Sequence, residues 1–334
     1  LSMRDRTDAS AFIAAFAGSN RFVIDYLIEE VLERAPLNVR EFLYQTAILD
    51  RLSGPLCEAV TGQAGGGQRH YKIGSQGLGR SQQGHIGALA VADEVEVVPF
   101  DFTRPATLAP TLRSVTGLLL VRTPAISDVR RYLLPVVRAA VAGGVRHVVF
   151  LLLQGAQFNF FVPHHKMEDY LKESGLRYSL LRPSFFIQNL STTHRGDIRQ
   201  RNQLLLPAGH ARTSFVDAEN VGVVAAQLLL TPPAAAASYE LTDCAALTYN
   251  EVAAQLSAVL RWPIRYRAAG ILEFQAYEKA KGTPPALANV MTDIYLAARF
   301  GLAAHVSPVL AELLGREPGT LRAFLERERA CWLP

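Results

Sequence analysis

The sequence predicts an α/β fold: a doubly wound parallel sheet with a small C-terminal α/β lobe, preceded by a short helical module. Three observations carry this. Short unbroken apolar runs, such as residues 148–153, have the composition of strands covered on both faces. They alternate with helical patterns at the rhythm of βαβ units. The stretch 146–189, RHVVFLLLQGAQFNFFVPHHKMEDYLKESGLRYSLLRPSFFIQN, then reads as strand, loop, helix, strand, loop. That is a right-handed βαβ unit, and such sheets take ligands beyond the carboxyl ends of their strands. Those ends are Gln154-Gly155-Ala156 and Pro183-Ser184-Phe185-Phe186, with Lys166 on the helix between them.

Residues 1–62 have apolar stripes at three-four spacing: Phe12, Ile13, Phe16, then Phe22, Val23, Tyr26, Leu27, Val31. Pro36 and Gly54-Pro55 punctuate them. This module needs a surface to bury its stripes, which leaves room for a protein partner. Residues 63–94 hold eight glycines and several glutamines, the composition of a linker. A phosphate-cradling turn is the alternative, but neither glycine cluster stands between a strand and a helix.

From Val95 the pattern is regular. Val95, Val97 and Val98 begin a strand that ends at Phe100-Asp101-Phe102. A short helix over 107–112 and an apolar strand over 117–121 follow, the latter ending at Arg122-Thr123-Pro124. Ser127-Asp128 opens a helix that Gly143-Gly144 stops. Strand 148–153, the helix with Met167, Tyr170 and Leu171, closure at Ser174-Gly175, and strand 177–181 complete the unit. Beyond it come a strand at 213–217, a helix over 218–230 and a strand at 238–242. Thr248-x-x-Glu251 is a capping box before a helix to 260, and a last strand follows at 264–266. The second lobe, from about residue 190, is expected to cover the mouth of the sheet.

The formal charge of +4 is small and scattered, so direct nucleic-acid binding is not expected. Three cysteines far apart, no leader pattern, and no apolar run near ~20 residues point to the cytoplasm rather than a membrane. Read alone, most residues near the strand ends have bland roles. Lys166 is a solvated helix lysine, Arg182 a charge capping a strand, and Asp217 a helix N-cap. His164 and His165 point to different faces, so no metal is expected.

Two resemblances add to this. AFIAAFAGSNRFVIDYLIEEVL followed by REFLYQTAILDRLSGPLCEAVTG, within residues 8–62, resembles the helical segment after the ATPase module of MalT-type LuxR transcription regulators. No GxxxxGK[ST] loop accompanies it. VEVVPFDF, GVRHVVFLLLQGA, VPHHKMEDYLKESGLRYSLLRPSFFIQNL and RTSFVDAENVGVVAAQLL make residues 95–334 resemble the NmrA-like family of atypical short-chain dehydrogenase/reductases. That resemblance implies a Rossmann-type sheet binding NAD or NADP, with NADPH favoured, either as a reductase or as a redox-sensing regulator. By position it implies Asp101 and Phe102 at the adenine, Arg122, Thr123 and Pro124 at the ribose, and Leu153 and Gln154 on the nicotinamide side. It implies Lys166 on the nicotinamide ribose, as the one candidate catalytic residue, and Pro183, Ser184, Phe185 and Phe186 as the nicotinamide wall. Phe158, His165 and Asn189 would face a substrate.

Three departures follow. The helical module and linker stand where the family has its first strand and Gly-rich pyrophosphate turn, whose loss would remove roughly 4–6 kcal/mol of cofactor binding. Val162 and Leu152 occupy positions where the wider group often carries Tyr and Ser. The expected activity is hydride transfer to a small carbonyl or quinone. The alternatives are a non-catalytic NAD(P)H sensor or a recombined chain with impaired cofactor binding.

Overall fold

The computed structural model describes residues 71–75, 95–121, 128–154 and 163–333. The helical module at 1–62 and most of the segment read as a linker lie outside the described residues.

The described chain begins with β1 (Tyr71–Ser75), which pairs in parallel with β2 (Val95–Pro99), Tyr71 opposite Val95. This strand lies inside the stretch read as a linker. Its only apolar side chains are Tyr71 and Ile73, so the pairing with β2, not local composition, makes it a strand. A 3-10 turn over Pro105–Thr107 leads into α1 (Leu108–Leu112), and β3 (Gly117–Val121) follows. Asp128 caps α2 (Val129–Ala142) by accepting the Arg131 N–H. Then come β4 (His147–Leu151), α3 (Pro163–Glu173) and β5 (Arg177–Pro183). Gly175 ends the α3 turn with φ +74°, a conformation that L side chains resist.

After β5 the chain forms β6 (Phe185–Phe186), a 3-10 turn over Ile187–Leu190, α4 (Arg195–Arg201), β7 (Gln203–Leu206) and β8 (Thr213–Val216). Asp217 caps α5 (Ala218–Leu230) through the Glu219 N–H. β9 (Ala237–Leu241), β10 (Ala246–Leu247), α6 (Tyr249–Leu260) and β11 (Arg265–Ala268) follow. The Thr248–Glu251 capping box is formed in both directions. Helices α7 (Ile271–Ala280), α8 (Pro285–Arg299), α9 (Val309–Leu314) and α10 (Leu321–Arg327) complete the chain.

The central sheet has the order β3-β4-β5-β9, parallel throughout. Side chains alternate across it, as the pleat requires. Val148, Phe150 and Leu180 pack on one face with Leu112, Leu133, Val136, Met167 and Leu171 from α1, α2 and α3. Val149 and Leu181 pack on the other with Val224 and Leu228 of α5, Leu241 and Leu310. This is a doubly wound sheet with helices on both faces.

The second lobe is not a continuous block after residue 190. Strand β9 returns to the sheet beside β5, and α5 covers that sheet, because their apolar residues complete its second face. What remains is built on β6, β8 and β10, the parallel pair β7-β11, and α4, α6, α7, α8 and α10 around a third core. Trp332, fully buried there, donates its indole N–H to the Leu190 carbonyl at 3.1 Å.

Candidate functional site

Past residue 151 the β4–β5 pairing continues. The Leu152 N–H reaches the Leu181 carbonyl at 2.7 Å, and the Gln154 N–H reaches the Pro183 carbonyl at 2.9 Å. The two predicted loop starts are therefore held side by side at the carboxyl ends of their strands. Ser184 donates its N–H to Leu241, which ties the same point to β9. Leu153 is 45% exposed at this edge, so the mouth of the sheet presents an apolar side chain to solvent.

Several of the expected residues have a definite place. Asp101 closes a turn after β2: its Oδ1 accepts the Thr103 N–H at 2.8 Å and the Thr103 hydroxyl at 2.7 Å. Phe102 is 5% exposed and meets Phe100 edge-on, centroids 4.9 Å apart, so its ring belongs to the core and any open face at this corner falls to Asp101. Ser184 is buried with its hydroxyl 2.6 Å from both the carbonyl and the hydroxyl oxygens of Ser214, which turns it toward β8. Phe185 packs with the second-lobe core beside Tyr295, and Phe186 packs against the α5 face of the sheet. Asn189 has an exposed side chain, and its carbonyl accepts the His194 N–H. Lys166 and His165 stand in the first turn of α3; their side chains lie outside the described residues, as do Arg122, Thr123, Pro124 and Phe158.

Three features here were not read from the sequence. Arg182 does more than cap the strand. Its Nη2 donates to Glu168 Oε1 at 2.7 Å, with the two side chains 11% and 6% exposed, which locks α3 to the end of β5. Gln154 is a tether: its Nε2 donates to the His305 carbonyl at 3.0 Å, and its Oε1 lies 3.2 Å from the Ser214 hydroxyl. Gln188, beside Asn189, donates to Asp217 Oδ1 at 2.6 Å and accepts the Ala218 N–H at 3.0 Å. These partners are far apart in sequence, so no local pattern announces them. Only a buried polar residue's need for a partner could have hinted at them.

The second lobe holds a separate polar core. His194 Nε2 meets the Tyr295 hydroxyl, and burial pushes the imidazole down to about 4. Asp197 receives the Tyr277 hydroxyl, Arg201 at 3.1 Å and Lys281 at 2.8 Å. A cavity of about 190 Å³ is lined by Phe215, Asp243, Cys244, Leu247, Gln255 and Leu321. Asp243 is 5% exposed with neither carboxylate oxygen hydrogen-bonded, and burial raises its pKa to about 7. Among the described residues no cluster of His, Cys, Asp or Glu could hold a metal, and no helix is long and apolar enough to cross a membrane.

Known proteins share this fold. The E. coli NADPH-dependent quinone oxidoreductase, solved with NADPH, superimposes with a TM-score of 0.73 at 22% identity, over 84% of this chain and 96% of that one. The Citrobacter sp. triphenylmethane reductase, solved with NADP(H), does so with 0.72 at 20% identity, over 85% and 97%. In sequence, the NAD(P)H azoreductase of Xenophilus azovorans is 29% identical over 244 residues, 71% of this chain and 84% of that protein. Quinone oxidoreductase 2 of E. coli is 24% identical over 233 residues, 69% and 81% respectively. Residues 28–79 match the MalT winged helix domain, a span displaced toward the sheet from the 8–62 expected. Residues 80–309, more than half of the chain, match the NmrA-like family, to which this protein belongs.

Proposed function

We propose that the protein is an NAD(P)H-dependent oxidoreductase, with NADPH the favoured cofactor and a small carbonyl or quinone as acceptor. The observation that carries this is the β4–α3–β5 unit, which brings Gln154 beside Pro183 at the strand ends, with Lys166 on the first turn of α3. A bound dihydronicotinamide would supply the hydride there. The chain would supply position: Lys166 on the nicotinamide ribose, the backbone of 183–186 as a wall, and Asp101 at the adenine corner. What supports this reading is the strand-end geometry. The mouth offers apolar surface at Leu153 and a backbone edge fixed by three strands, while the hydroxyl of Ser184 and the ring of Phe102 are committed elsewhere.

Val162 and Leu152 stand where the wider group often uses Tyr and Ser for proton transfer. Catalysis would then rest on binding and orientation, with solvent completing the product. The same two residues favour a second reading, a sensor that binds NADPH without turning it over.

The test is a calorimetric NADPH titration followed by a turnover panel. Saturable binding with quinone-dependent NADPH oxidation is expected, and Lys166→Ala should weaken binding about tenfold, as loss of one charge-assisted hydrogen bond does. No saturable binding up to millimolar cofactor would remove the oxidoreductase and sensor readings together. Binding without turnover would leave the sensor.

A further inference from the structure

The segment joining α8 to α9 is tied to the strand ends on both sides of His305. Ser214 of β8 donates its N–H to the Ala303 carbonyl at 2.6 Å, and the Ser307 N–H reaches Thr242 Oγ1, just past β9, at 2.8 Å. Between these anchors, Gln154 Nε2 donates to the carbonyl of His305 itself at 3.0 Å. Gln154 is in turn fixed beside Pro183 through its own N–H. His305 therefore sits at the carboxyl ends of β4 and β9, with β5 between them.

Its side chain is 66% exposed, and Nε2 lies 3.5 Å from Oε2 of Glu240, the last residue but one of β9. Arg182, opposite Glu240 in the β5–β9 register, is committed to Glu168 at 2.7 Å. A part-exposed pair such as His305 and Glu240 adds little to stability, so folding alone does not account for an imidazole held here. A histidine backed by a carboxylate is an arrangement that moves protons. The carboxylate orients the ring and favours its charged form, and the other ring nitrogen gives the proton.

We propose that His305 is the general acid of the reduction, with Glu240 as its positioning partner. This rests on the oxidoreductase reading and completes it, since Val162 and Leu152 stand where Tyr and Ser often serve the proton transfer. Hydride transfer from a bound dihydronicotinamide breaks one C–H bond and leaves negative charge on the acceptor oxygen. The His305 imidazolium gives that oxygen its proton from Nδ1, because Nε2 is turned to Glu240. The neutral imidazole then regains a proton from solvent. Both electrons come from the nucleotide and end on the carbonyl or quinone. The reach is short, for the His305 backbone is one hydrogen bond from Gln154, the residue expected on the nicotinamide side.

The test uses the full chain and has two parts. Carbethoxylation of His305 by diethyl pyrocarbonate, read by peptide mass spectrometry, reports its place without turnover. Saturating NADPH, with occupancy followed by calorimetry, should slow that labelling several-fold. Turnover is then followed with 4-nitrobenzaldehyde and with menadione. His305→Ala should lower kcat about a hundredfold, on the scale of general-acid catalysis, with NADPH affinity and thermal midpoint unchanged. Added imidazole should restore part of the rate, which a merely structural role would not allow. Glu240→Gln should lower kcat about tenfold at unchanged NADPH affinity, as loss of an orienting carboxylate predicts. Labelling that saturating NADPH leaves untouched, or wild-type kcat in His305→Ala, overturns the proposal and returns the proton to solvent. A lowered kcat that imidazole does not restore overturns it too, and makes His305 structural. Failure of wild type to bind NADPH, or to turn over either acceptor, removes the oxidoreductase reading and this proposal with it.

Discussion

Replacing Asp243 by Asn should stabilise the protein at alkaline pH and do little at acid pH. The carboxyl group is 5% exposed, neither oxygen has a hydrogen-bond partner, and the residue's own N–H is used on the Phe215 carbonyl at 2.7 Å. Burial is the main reason its pKa rises from 3.8 to about 7. The Asp217 backbone amide opposes the rise from outside hydrogen-bond geometry, and the Asp217 carboxylate adds to it. Asp217 cannot relieve the charge, because its own oxygens are taken by Gln188, the Glu219 amide and Arg327 at 3.0 Å. The sign follows from proton counts. Between the two pKa values the folded state holds a proton that the unfolded state has released, so stability falls as pH rises from about 4 to about 7 and is level above. About three pKa units correspond to roughly 4 kcal/mol. Asn never ionises, so its advantage should grow by about that amount between pH 4 and pH 8, whatever constant cost its unpaired amide carries. Urea unfolding followed by circular dichroism at the two pH values measures it. A difference between variant and wild type that is the same at both would refute the reasoning.

Two other perturbations probe the frame of the site. Arg182→Met should destabilise the protein by about 3–5 kcal/mol, because it strands the buried Glu168 carboxylate, and Arg182→Met/Glu168→Leu should recover most of the loss; denaturant midpoints of the two variants decide it. His194 predicts an opposing acid limb: its imidazole titrates near 4 when folded against 6.5 in its ordinary state, so stability is complete above about 6.5 and drains away as pH falls toward 4. His194→Phe, measured by thermal melts across that window, should flatten this limb, whereas an unchanged slope would assign it to other groups.

How much of this was legible depends on where each residue's partner lies. Asp128, Asp217 and Thr248 were readable as helix caps because a cap bonds two or three residues ahead, and the structure has those bonds. The unit β4–α3–β5 was readable because an apolar run between two helical patterns has few other places to go. Strand β1 was not, since Tyr71-Lys72-Ile73-Gly74-Ser75 is extended only by virtue of β2. Nor was the return of β9 to the sheet, which β5 decides from 58 residues away, Leu180 standing opposite Ser238.

The same divide runs through the site itself. Family-like sequence put Ser184 and Phe102 on the cofactor, but it could not say that the hydroxyl of one and the ring of the other were already occupied. Conversely, Gln154 looked like one more contact at a strand end. Its side chain spans from β4 to Ser214 and His305, and thereby ties the segment between α8 and α9 to the strand end. A motif names the residues near a cofactor, while their remaining hydrogen-bond demands determine which of them are free to touch it. Among the described residues at this strand end, the exposed side chain of Leu153 is not tied up by such demands, whereas those of Ser184 and Gln154 are.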